Sequence, residues 1–155
     1  MLTLQLILMK RITLTGLLAI GILMAMGQDV LTTEKSVAQK GNKLILLNFS
    51  GSDWCIPCIN MQQHFFESPA FKQLSDSLLL TVRADFPRKK KNLPSKELVA
   101  RNEKLADRFN PAGNFPYTVL LNADMKVLQT WDGLPEEGLE KFCQTIRQNY
   151  AKQYQ

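Results

Sequence analysis

The sequence predicts an α/β domain on a mixed central sheet, a parallel β-α-β unit followed by an antiparallel hairpin, with helices flanking both faces. Three observations carry this expectation. Lys43 to Phe49, "KLILLNF", and Leu78 to Asp85, "LLLTVRAD", are apolar runs of strand length, and the stretch between them has helical spacing. A right-handed crossover makes two such strands parallel neighbours. Tyr117 to Leu121 and Lys126 to Trp131 are further strands, joined through Asn122-Ala123-Asp124-Met125, which reads as a hairpin turn.

The elements follow in order. Val30 to Lys40 has helical spacing and ends at Gly41-Asn42, a C-cap signal. "KLILLNF" is almost continuously apolar, as a strand buried on both faces must be. Ser50 to Asp53 is a loop, and Cys55 opens a helix to about Phe66. Ser68-Pro69 supplies an N-cap and a favoured first helical residue, so the helix restarts there with a kink and runs to about Leu74. Phe86 to Pro94 is a basic loop, and Ser95 opens a helix to about Phe109, without the acid of a full capping box. Pro135 starts the last helix, ending near Tyr150.

The composition, 45% hydrophobic and 21% charged over 155 residues, suits one globular domain. Residues 1–27 read as a signal peptide outside it. Lys10 and Arg11 form a positive region, Ile12 to Met24 is an apolar run short for a bilayer span, and Ala25-Met26-Gly27 is a small-x-small cleavage site. Met9 is a plausible start, and an uncleaved membrane anchor is the weaker alternative. The domain is then 28–155, periplasmic or secreted. Removing residues 1–27 leaves 17 basic against 14 acidic side chains, a surplus too mild to argue for nucleic acid.

All three cysteines lie in that domain. Export places them in an oxidising compartment, yet three cysteines are no disulfide scaffold. "SDWCIPCIN" puts Cys55 and Cys58 where a buried strand feeds a helix N-terminus. Unpaired N–H groups and the helix dipole there favour a thiolate on Cys55, lowering its pKa and activating it at neutral pH. Cys58 lies one turn along, within reach of a short disulfide ring. Pro57 fits the first turn and stiffens the ring. Trp54 can cover one side of the pair while leaving Cys55 accessible. This suits thiol–disulfide exchange, with Cys55 attacking a target disulfide and Cys58 resolving the mixed disulfide. Phe115-Pro116 then places a proline directly before a strand. A cis bond there would free the Phe115 backbone to pair with an extended substrate beside the cysteines.

With these features the chain resembles the thioredoxin superfamily over nearly all of residues 29–150, through "LILLNFSGSDWCIPC", "ADFP", "NFPYTVLL" and "WDGLP". It looks most like exported bacterial members with a "DWCxxC" motif and a "DFP" strand end. The resemblance implies the thioredoxin fold, Cys55 as nucleophile, Cys58 as resolving cysteine and Pro116 as the cis proline. Three departures stand out. Ile56-Pro57 replaces glycine-proline, which changes access to the pair. The buried acid of thioredoxin falls at Asn48 and its lysine partner near Thr81, a neutral pair that removes a proton acceptor. The "RKKKNLPSKELVARNEKLADRF" segment is longer than its counterpart.

The expected function is therefore an exported thiol–disulfide oxidoreductase that reduces protein disulfides without a bound cofactor. Trp54, Ile56, Pro57, Phe115 and Pro116 form the substrate-binding surface. Disulfide-containing protein clients and a membrane thiol electron donor are the implied partners, and a monomer is expected. A redox-inert or metal-binding chaperone module on the same fold is the alternative. No metal site is expected, since His64 is the single histidine and no second cysteine pair completes a tetrahedral set. Cys143 reads as a buried apolar residue of the last helix. Arg88-Lys89-Lys90-Lys91 reads as a solvated loop, with docking to an acidic partner or membrane surface as the alternative. Asp53 is expected to cap the motif helix or tune its charge.

Overall fold

Burial on both faces makes the first strand the centre of the sheet. In the computed structural model, which describes residues 30–155, all seven residues of β1 (Leu44–Ser50) are buried. It pairs in parallel with β2 (Leu79–Asp85) and antiparallel with β3 (Tyr117–Leu121), and β4 (Val127–Asp132) continues the hairpin beyond β3. The order is β2-β1-β3-β4, the mixed sheet expected from the runs of apolar residues. Signal peptide and cleavage site, assigned to residues 1–27, lie outside the described residues.

Alternate residues of β1 feed two apolar layers, as the pleat requires. Ile45, Leu47 and Phe49 face α1 (Thr32–Gly41) and α4 (Lys96–Phe109), through Ala38, Leu105 and Phe109. Leu44 and Leu46 face α2 (Ile56–Met61), α3 (Pro69–Leu78) and α5 (Gly138–Tyr154), through Met61, Leu74 and Phe142. Asn48 falls on this second face.

Several helix ends differ from the sequence pattern. Asn42 takes a left-handed conformation (φ 48°) and closes α1, as its C-cap signal implies. α2 passes into a wider π turn at Gln62–Phe66 before α3, and α3 runs on to Leu78 rather than Leu74. The last helix begins at Gly138 rather than Pro135. Gly138 has φ 81°, so Pro135 starts only a turn, closed by Gly138 N–H on the Pro135 carbonyl (3.2 Å). The helix extends to Tyr154, where Tyr150 and Tyr154 pack together and the Tyr154 hydroxyl donates to the Lys43 carbonyl (3.1 Å).

Candidate active site

β1 ends under the motif, and the chain must turn sharply from strand to helix. Gly51 makes that turn possible. A Cβ there would lie 2.3 Å from Trp54 Cε2, so the indole rests where any other side chain would stand. The Gly51 carbonyl accepts the N–H groups of Trp54 (3.2 Å) and Cys55 (2.9 Å). Asp85, at the end of β2, accepts Ser52 N–H (2.9 Å) and the Ser52 hydroxyl (2.5 Å). Phe86 N–H donates to the Ser50 carbonyl, extending the β1–β2 ladder into the turn (2.8 Å).

Cys55 is the N-cap of α2 and is bonded to Cys58 in a disulfide with Cα atoms 5.2 Å apart. Cys58 N–H donates to Cys55 Sγ at 3.2 Å, so a main-chain donor of the first turn faces that sulfur. Pro57 stands in the first helical turn, where its missing N–H costs no hydrogen bond. The pair is more enclosed than the sequence suggests. Cys55 keeps 6% of its surface and Cys58 2%, whereas Ile56 is 70% exposed and Pro57 is exposed beside it. Bonding of the two sulfurs to each other removes surface from both, and Cys55 remains the more accessible one.

Trp54 links three segments. Its Nε1 donates to the Phe86 carbonyl (2.8 Å), its ring meets Phe115 edge-on (5.5 Å), and the Arg88 guanidinium lies 3.8 Å from its ring centre. Phe86 also packs edge-on against Phe115 (5.5 Å). The Phe115–Pro116 bond is cis, and Pro116 is buried. Phe115 N–H and C=O make no hydrogen bond among the described residues, and β3 pairs with its neighbours only from Tyr117 onward.

Asp53 does not cap α2. Its carboxylate accepts Arg88 N–H, Lys89 N–H and Asn92 Nδ2, each at 2.9 Å. The Arg88 N–H is the main cause holding its carboxyl below the usual carboxylate range, with Asn92 and Lys89 adding to it. In the sequence Asp53, "ADFP" and the basic run are separate features, and nothing in it joins them. Neither Gly51 nor Arg88 carries a sequence signal that marks it as a site residue.

Under the pair, Asn48 donates to the Thr118 hydroxyl (2.9 Å) and lies 3.9 Å from Met61 Sδ, in the helix that carries Cys58. Asn48 and Thr118 are buried at 6% and 0% exposure. A cavity of about 350 Å³ opens beside Asn48, lined also by Thr81, Arg83, Lys72 and Asp76 among others. Asn48 and Thr81 are the neutral residues expected there, and the charge in the cavity comes from Arg83, Lys72 and Asp76. Arg83 stands opposite Asn48 in register, and its guanidinium donates to Ser50 Oγ and Gln62 Oε1 (3.2 Å each).

His64 is exposed in the π turn, and among the described residues no group of three or more His, Cys, Asp or Glu is placed to hold a metal ion. Cys143 is buried and unbonded to the other cysteines; burial pushes its thiol up, partly offset by Arg147.

A family model described as thioredoxin-like matches residues 28–123. The chain belongs to that family. The disulfide bond reductase DsbH of Chlamydia pneumoniae is 36% identical to this thioredoxin-like chain over 91 residues, 59% of the chain and 53% of the relative. The chain thus spans about half the length of that curated relative. A solved structure described as DsbH oxidoreductase superposes with a TM-score of 0.68 and 29% identity, over 76% of this chain and 78% of that one. A Thermus thermophilus thioredoxin, at 18% identity and a TM-score of 0.54 over 77% and 82% of the two chains, shares the thioredoxin fold alone.

Proposed function

We propose that this chain is a thiol–disulfide oxidoreductase that reduces disulfides in exported proteins. The carrying observation is the Cys55–Cys58 pair at the N-terminus of α2, with Cys58 N–H directed at Cys55 Sγ. The match to a disulfide bond reductase over 59% of the chain supports the same reading.

The disulfide-bonded pair corresponds to the end of a turnover. In the reduced protein, Cys55 is the attacking thiolate, since negative charge on its sulfur is favoured by the N–H groups of the first turn. It attacks one sulfur of a client disulfide, forming a mixed disulfide and expelling the other client sulfur as a thiolate. Cys58 then loses its proton and attacks Cys55 Sγ. The second client thiol leaves, two electrons have passed to the client, and the Cys55–Cys58 disulfide is formed. A dithiol donor must reset the pair, and a membrane thiol-transfer protein is the proposed source. An extended client segment would pair with the free N–H and C=O of Phe115 and lie against Pro116, Trp54, Ile56 and Pro57.

Export is proposed from the leader read in residues 1–27. Among the described residues no helix is long and apolar enough to cross a membrane.

Reduction of insulin by dithiothreitol, followed by turbidity, tests the activity. Acceleration by the protein that disappears in Cys55→Ser is the expected result. A rate unchanged by the protein points to a redox-inert module instead. Cys58→Ser is expected to accumulate mixed disulfides on Cys55, which mass spectrometry of trapped clients identifies.

A further inference from the structure

The basic loop after β2 is the strongest charged feature that the chemistry above leaves unused. We propose that Arg88 to Lys91 form a docking rim for acidic client polypeptides, held beside the cysteine pair by Asp53; this rests on the oxidoreductase reading.

A merely solvated loop needs no anchor, and this one has three. Asp53, two residues before Cys55, accepts the main-chain N–H groups of Arg88 and Lys89 and the Asn92 side chain. Trp54 donates to the Phe86 carbonyl, and Arg88 stacks on the indole. The Lys90–Asn92 turn is closed by Asn92 N–H on the Lys89 carbonyl (2.9 Å).

The way Asp53 is used matters as much as its presence. Its oxygens hold amide donors and no ammonium group, so it fixes the backbone without forming an ion pair with the lysines. Arg88, Lys89, Lys90 and Lys91 are all exposed, and none forms a salt bridge among the described residues. The neighbouring carboxylate, Asp85, is likewise occupied by Ser52. Four cations thus stand beside two carboxylates that form no salt bridge with any of them among the described residues, though Asp53 still feels the charge of Lys89. Ile56 and Leu93, 70% and 55% exposed, add apolar surface. With the free main chain of Phe115, whose ring meets Trp54, this surface suits an extended acidic peptide better than a bilayer. Attraction between such a rim and acidic residues acts over roughly a Debye length, about 10 Å at 0.1 M salt, and raises encounter rates.

The test uses two peptides with the same internal disulfide, flanked by glutamates or by lysines, with dithiothreitol as reductant. At about 20 mM salt the glutamate-flanked peptide is expected to have a kcat/KM about tenfold higher, a preference that collapses by about 300 mM. The triple substitution K89E, K90E and K91E is expected to invert it. Asp53→Ala separates position from charge: counting charges alone, loss of an acid raises the preference, whereas release of the loop lowers it. Reduction of both peptides with equal kcat/KM at low salt, or a preference raised by Asp53→Ala, overturns the proposal.

Anisotropy of the labelled glutamate peptide on the oxidised protein reads docking without chemistry. Salt-sensitive binding there supports the rim even if neither peptide is reduced, a result that would sink the oxidoreductase reading alone. No binding overturns the rim. Sedimentation with phosphatidylglycerol vesicles, without any peptide preference, overturns it in favour of a membrane surface.

Discussion

Gly51 and Asn48 show how much of the site rests on single residues. Gly51 has no room for a Cβ because the Trp54 ring occupies that space at 2.3 Å. Gly51→Ala should displace the indole from Phe86 and Arg88, at a cost of roughly 1–3 kcal/mol typical of overpacking. A shifted tryptophan emission and a lower urea midpoint are expected, and an unchanged spectrum would refute this packing. Asn48→Asp places a carboxyl where burial disfavours the charged form, so its folded-state pKa lies above its unfolded one. Below the unfolded carboxyl pKa, about 4, both states are protonated and the substitution costs little. As pH rises through the folded pKa stability is lost, by about 1–4 kcal/mol at pH 8. The new carboxylate also supplies a proton acceptor on the Cys58 face, so resolution of the mixed disulfide should quicken in stopped-flow experiments near neutral pH. An equal stability difference at pH 4 and pH 8 would show that the group is not desolvated.

At the scale of elements, caps decide where helices restart. Ser68 accepts Phe71 N–H (3.2 Å) and donates to the Phe65 carbonyl (2.7 Å), so one side chain joins the π turn to α3. Ser95 accepts Leu98 N–H at a longer 3.3 Å, and its hydroxyl meets the fully exposed Glu97 carboxylate, at an exposed end of α4. Ser68→Ala should therefore cost about 1 kcal/mol, and Ser95→Ala less, in urea unfolding. The reverse order would mean that the Phe65 bond contributes nothing. Both caps were legible, as were the strands, because each signal is local. The π turn was not, since its extra residue per turn leaves the apolar pattern of a helix almost unchanged. Nor was the start of α5, where the left-handed conformation of Gly138 overrides the helix-starting preference of Pro135. In the site, the cysteine pair and the proline before β3 announced themselves through motifs. The Asp53 clamp joins residues 35 and 36 apart through main-chain donors, and no residue type marks which amide a carboxylate will accept.

For the whole molecule, β1 buries both faces, so each layer must be packed on its own and the site shares one of them. The layer beneath α2 is rich in aromatic rings. Phe142 of α5 meets Phe65 at 5.6 Å, Phe71 at 6.1 Å and Trp131 at 4.6 Å between ring centres, joining α2's continuation, α3 and β4. Phe65 follows Met61 by one turn, and Met61 underlies Asn48, so this cluster supports the helix that carries Cys58. Phe142→Ala removes a side chain that is 1% exposed, and the cost should be about 3–5 kcal/mol, a large share of a small domain's stability. Leu105→Ala, in the opposite layer at 0% exposure, should cost about 2–5 kcal/mol. Stability alone would not separate the two layers, but alkylation of the reduced pair would. If the aromatic layer seats α2, Phe142→Ala should speed modification of Cys58 under conditions where the protein is still folded, while Leu105→Ala should leave it slow. Equal alkylation rates in the two variants, at matched stability set by urea, would mean that the seat of α2 is carried by β1 and the turn at Gly51, and that the aromatic cluster contributes only to the general stability of the fold.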